Sequence, residues 1–227
     1  MRETSRGVDI RALIFDFDGL ILETETPALQ SWAEIYREHG HEVPMEKWHG
    51  YLGADRGFEP VDYLAALVGE GLDRAEVQAR RDRRKDELVL ALDVMEGVRD
   101  HIEDARRLGM KLGVASSSSR RWVVGHLERL RIHTYWDTVV TRDDVARTKP
   151  APDLYALAVH RLGVQPAQAL ALEDSPNGIA AAKDAGLWCV AIPNALTRDL
   201  DVSRADVRLS SLAEMPLERL LHALSRR

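Results

Sequence analysis

Residues 12–25 read ALIFDFDGLILETE, four apolar residues running without a break into Asp16-Phe17-Asp18-Gly19. A short apolar run that ends in turn residues reads as a buried strand. Side chains along a strand alternate with a period of two, so Asp16 and Asp18 fall on one side of the backbone and Phe17 on the other. Two carboxylates then share one small space, where like charges raise each other's proton affinity unless a cation intervenes. The pair either binds a metal or splits into one ionised and one protonated group. The bland alternative is an Asp-Gly turn whose acids cap backbone groups.

Further apolar runs lie at 112–115, 138–140, 169–172 and 189–192, with helical patterns near 98–108, 120–130, 152–162, 177–185 and 211–224. This alternation predicts an α/β fold, a Rossmann-like parallel sheet flanked by helices. Each run ends in polar residues, and ligands of such sheets sit beyond the carboxyl ends of the strands, so the endings are expected to converge on one site. The stretch between the first two runs is far longer than a loop and one crossover helix need. From 27 to about 92 it is patterned as helix, with breaks around 40–44 and 53–60. The reading is a core domain of residues 1–25 and 96–227, with an inserted helical subdomain at 26–95.

A chain of 227 residues can bury a core of that size without staples, and its one cysteine, Cys189, rules out a disulfide framework. No apolar leader or bilayer-length stretch is present, so a cytoplasmic protein with no membrane partner is expected. A formal charge of −6 argues against nucleic acid. The one basic cluster, RRDRRKDE at 80–87, reads as a solvated helix face, with a docking patch as the alternative. The histidines and tryptophans, Trp122 among them, read as packing or solvated residues, and a monomer is expected.

Three more strand endings carry chemistry. GVASSSS at 113–119 puts Ser116 and successive N–H groups before a helix, where an anion is favoured, although a serine there can equally be a cap. RTKPAPD at 147–153 holds Lys149 ahead of two prolines, either as a point charge for a phosphate or carboxylate or as an ordinary loop lysine. ALALEDSPNG at 169–178 ends in Glu173-Asp174, hard oxygen donors of the kind magnesium takes, or simply an acidic helix start.

Taken in order, DFDGLILETE, Ser116, Lys149 in TKPAPD and EDSPNGIAAAKDAG resemble the four motifs of the haloacid dehalogenase-like hydrolases. The branch is the phosphatase and β-phosphoglucomutase one, with a helical cap after the first strand. The resemblance implies that Asp16 attacks phosphorus and becomes an aspartyl-phosphate, while Asp18 protonates the leaving oxygen and later activates water. It implies Mg2+ held by Asp16, the Asp18 carbonyl and Asp174, with Glu173 as ligand or close partner. Ser116, Ser117 and Lys149 would bind the transferring phosphoryl group, with Lys149 also keeping Asp16 ionised. Arg56, in the Gly53-Ala54-Asp55-Arg56 loop of the cap, would reach a substrate's distal phosphate.

The implied activity is hydrolysis of a small phosphate monoester, a sugar phosphate or a phosphoglycolate-type metabolite. A sugar phosphomutase is the alternative that Arg56 suggests, but Ala28 stands where such mutases carry a histidine. A dehalogenase or phosphonate-cleaving relative would lack Asp18. A non-catalytic regulatory protein on this fold would have no use for the clustered carboxylates.

Overall fold

Residues 9–51, 58–69 and 71–226 are described by the structure, a computed structural model. Strand β1 (Ala12–Phe15) lies at the centre of a six-stranded parallel sheet, between β2 (Lys111–Ala115) and β4 (Ala169–Glu173). Leu13 stands opposite Leu112 on one side and Leu170 on the other. Beyond them lie β3 (Thr138–Val140), β5 (Trp188–Ala191) and β6 (Val207–Arg208), in the order β3-β2-β1-β4-β5-β6. The order reverses between β1 and β4, the crevice at which open α/β sheets bind ligands.

The period of two shows directly in β1. Leu13 and Phe15 join an apolar cluster with α5 (Val98–Arg107), α6 (Arg120–Arg129) and α9 (Leu217–Leu224). Ala12 and Ile14 face the opposite cluster, built on α7 (Asp153–Leu162) and α8 (Pro176–Asp184). With both faces covered the central strands need no polar alternation, which is why they read as unbroken apolar runs.

Between β1 and α5 the chain forms α1 (Glu25–Glu38), α2 (Met45–Tyr51), α3 (Pro60–Val68) and α4 (Arg74–Leu90). These helices share a third apolar cluster containing Trp32, Tyr36, Trp48 and Leu64. The Tyr36 hydroxyl donates to the Pro60 carbonyl at 2.6 Å, tying α1 to the start of α3. No helix among the described residues is long and apolar enough to cross a membrane.

The α/β expectation holds, with local corrections. The helix expected over 211–224 begins only at Leu217, after a 3-10 turn at Leu212–Glu214, because Pro216 supplies no N–H and disfavours helix before it. Strand β6, two residues long, leaves no apolar run to read. The basic cluster is not a uniformly solvated face. Arg80 and Arg84 pair across to Glu38 and Glu34 of α1 at 2.7 and 2.8 Å, whereas Arg81 is buried against the Trp32 ring.

Candidate active site

At the end of β1 the Asp16 N–H donates to the Leu172 carbonyl, and Phe17 turns into the core as the alternation requires. The Phe17 carbonyl then accepts from Ile21 and Leu22, closing a tight turn through Gly19 at φ +82°. Glycine is needed there twice over. Its φ is left-handed, and a Cβ would collide with Asp174 Oδ2. Gly19→Ala is expected to cost at least about 1–2 kcal/mol for the backbone alone, read from urea denaturation midpoints.

Because β1 and β4 pair in register, Asp16 and Glu173-Asp174 emerge side by side. Ligand oxygens of Asp16, Glu173 and Asp174 all lie within 4.8 Å of one another, and all three residues are buried. Lys149, 4% exposed, donates to Asp16 Oδ1 and to Glu173 Oε1, the latter at 2.6 Å. The Tyr155 hydroxyl donates to the same Glu173 oxygen at 2.5 Å, and Glu173 Oε2 has no partner among the described residues. Asn194, just past β5, holds Asp174 Oδ2 through its amide nitrogen at 2.7 Å.

Three buried carboxylates thus face one ammonium, and the imbalance shows in their proton affinities. Burial, with help from Glu173 and Asp18, pushes Asp16 up to about 8 against the pull of Lys149. Burial and then the charges of Asp16 and Glu173 push Asp174 well up also. Burial opposes the charge on Lys149, but Asp16 and Glu173 outweigh it and hold its affinity above the ordinary value. One ammonium is thus shared between carboxylates that also repel each other, and it offsets their charge only in part. The donor set fits a divalent cation: hard oxygens, close spacing, and negative charge left over after Lys149.

Asp18 is held separately. Its Oδ1 accepts from the Thr24 hydroxyl and the Trp122 indole N–H, both at 2.9 Å. Its Oδ2 accepts from Ser118 at 2.6 Å and Ser116 at 3.3 Å. The Ser117 hydroxyl has no partner among the described residues, and together with Lys149 and Asp174 it lines a cleft of about 370 Å³. Arg81 and Lys85 of α4 line the same cleft. Arg56 lies outside the described residues.

Residues 13–192 match the family described as haloacid dehalogenase-like hydrolases. The chain belongs to this family. YhcW of Bacillus subtilis is 44% identical over 95% of this chain and 98% of its own length. The validoxylamine A 7'-phosphate phosphatase of Streptomyces hygroscopicus is 30% identical, covering 90% of this chain and 95% of that enzyme. Among solved structures, CbbY of Rhodobacter sphaeroides in complex with xylulose-(1,5)bisphosphate superposes with a TM-score of 0.71 at 31% identity, covering 90% and 96% of the two chains. This haloacid dehalogenase-like hydrolase is a phosphatase, a phosphoric monoester hydrolase.

The structure brings together Asp16, Asp18, Ser116, Ser117, Lys149, Glu173 and Asp174 of the expected set. Reading the family motifs left out Thr24, Ser118, Trp122, Tyr155 and Asn194. Asn194 was the findable one, since it follows a fifth strand whose ending obeys the same rule as the others. Trp122 is not merely a packing residue as expected, because its indole N–H faces a carboxylate.

Proposed function

We propose that the chain is a Mg2+-dependent phosphatase that hydrolyses a small phosphate monoester, a sugar phosphate or phosphoglycolate-type metabolite, through an aspartyl-phosphate on Asp16. The observation that carries this reading is the buried cluster of Asp16, Glu173 and Asp174 joined to Lys149, beside a second carboxylate that is held by donors of its own. Asp16 supplies the oxygen that attacks phosphorus. Asp18, held by Thr24, Ser116, Ser118 and Trp122, gives a proton to the leaving oxygen and later takes one from the attacking water. Ser116, Ser117 and Lys149 bind the transferring phosphoryl oxygens, the Ser117 hydroxyl having no other partner among the described residues and Ser116 also reaching Asp18 at 3.3 Å. Asp16, Asp174 and the Asp18 carbonyl would hold magnesium, with Glu173 beside them, and the ion would offset repulsion between nucleophile and phosphate.

Residues 26–95 act in this reading as a cap that selects the substrate, with Arg81 and Lys85 lining the cleft and Arg56 carrying the role that the family resemblance implies for it. The relatives support a small phosphate ester as substrate, and the xylulose-(1,5)bisphosphate complex supports a phosphorylated sugar. Ala28 lines the cleft, and its methyl group offers no hydrogen bond where mutases carry a histidine, which favours hydrolysis over phosphoryl shuttling.

The test is phosphate release from a panel of phosphate monoesters, with MgCl2 and with EDTA. Turnover is expected only with the metal, and metal-independent turnover overturns the assignment. Magnesium is also expected to raise the melting temperature of the resting protein, since a ligand at about 100 times its Kd stabilises by about 2.7 kcal/mol. Asp174→Asn should largely remove that rise in a thermal scan.

A further inference from the structure

We propose that Trp122 is a positioning residue that fixes which oxygen of Asp18 carries the transferred proton, and that Lys85 of α4 ties this arrangement to the helical insertion. The proposal rests on the reading of Asp18 as proton donor and acceptor. Asp18 has four donors, three of them hydroxyls, from Thr24, Ser116 and Ser118. A hydroxyl can rotate and accept instead of donating, whereas an indole N–H only donates. The lone pair of Oδ1 that faces Trp122 at 2.9 Å is therefore always taken, which leaves Oδ1 only the Thr24 hydroxyl, at 2.9 Å, as an acceptor for a proton. The oxygen favoured to carry the proton is Oδ2, which faces no obligate donor but two hydroxyls, Ser116 and Ser118, both able to turn round and accept from it. As the Asp16–phosphorus bond forms and the bond from phosphorus to the leaving oxygen breaks, the proton on Oδ2 passes to that oxygen.

The indole is itself held from both sides. Trp122 lies in the first turn of α6, where its backbone N–H donates to the cap residue Ser119. His126, one turn on, meets its ring edge-on at 4.3 Å and packs in turn towards Phe17. On the open face the Lys85 ammonium sits 3.9 Å from the ring centroid and forms no ion pair among the described residues. A cation over an aromatic face draws on the ring's electrons, which strengthens the N–H as a donor. Lys85 belongs to the insertion and Asp18 to the core, so the stacked pair joins the two parts of the chain across the cleft.

The experiment compares two esters whose leaving groups differ in their need for a proton. An alkyl phosphate such as a sugar phosphate must be protonated as it leaves, and p-nitrophenyl phosphate need not be. Single-turnover formation of the phosphoenzyme is measured for both with wild type and Trp122→Phe, which keeps an aromatic face and deletes the N–H. The expected result is a rate loss on the order of 10- to 100-fold for the alkyl ester, about 3-fold or less for p-nitrophenyl phosphate, and a KM within about 2-fold for each. Equal losses on the two esters, no loss on either, or an effect confined to KM would overturn the proposal.

Both esters are tested on the same protein, so a general loss of folding cannot imitate the selective pattern. Lys85→Met should show the same selectivity more weakly, and adding it to Trp122→Phe should deepen the selective loss no further. Full additivity breaks the link to α4. If wild type forms no phosphoenzyme with either ester, the nucleophile reading itself fails, an outcome distinct from a Trp122 variant that behaves as wild type.

Discussion

Asp16→Asn is expected to lower phosphate release by a factor on the order of 10⁴ or more while leaving the fold intact. Removing the attacking group of a covalent mechanism leaves only binding and electrostatic stabilisation, and such losses reach about 10⁶ where they have been dissected. The amide has nearly the shape of the carboxylate, so packing around a residue only 6% exposed is preserved. Its charge is not preserved, and this gives a second expected result. Burial, and after it the charges of Glu173 and Asp18, push the proton affinity of Asp16 up to about 8, so a neutral side chain suits the metal-free site. In EDTA the variant should melt no lower than wild type, and with Mg2+ it should gain less, having lost a ligand. Phosphate assays and paired thermal scans read both. Residual activity above about 1% of wild type, with no phosphorylated Asp16 detected in the native enzyme, would sink the nucleophile assignment.

How much of this was legible in the chain depends on what kind of interaction fixed each part. The positions of Asp16, Glu173 and Asp174 follow from strand periodicity and parallel pairing, which act through the backbone and leave a clear trace in sequence. The Gly19 turn is equally local. Trp122 was not legible in its role, because its N–H reaches Asp18 only once α6 has joined, through Val123 and Leu127, the apolar cluster to which β1 also belongs. Arg81 and Lys85 were misread for a related reason. An alternating basic run has the same i,i+4 pattern whether one face meets solvent or a cleft, and here the packing of α4 on α1 decides. Tyr155 carries no motif signal either, since a tyrosine on the buried face of α7 looks like core until its hydroxyl is found on Glu173.

Lys149→Met should reduce both stability and turnover, with magnesium restoring only the first. Lys149 contacts Asp16 and Glu173 and lies 5.2 Å from the centroid of the Tyr155 ring, so its ammonium is the cation that the described residues supply to the cluster. Methionine fills similar space and removes that charge, leaving three buried carboxylates uncompensated. Breaking a buried pair from one side costs about 3–5 kcal/mol, and for a chain of this length each kcal/mol moves the melting point by about 2–4 °C. A drop of roughly 6–20 °C in EDTA is therefore expected.

A divalent ion restores part of the missing positive charge, so the melting temperature gained on adding Mg2+ should be larger for Lys149→Met than for wild type. Turnover should stay low with saturating Mg2+, by about 10²–10³-fold, because charge that develops on the transferring oxygens is met by a donor fixed in place and not by net charge alone. Lys149→Arg should not rescue it. The planar guanidinium is larger than the ammonium, and Lys149 is only 4% exposed, with Glu173 and the Tyr155 ring packed against its head group. If Mg2+ restored turnover together with stability, Lys149 would be a counter-ion for the folded cluster and would have no part in phosphoryl transfer.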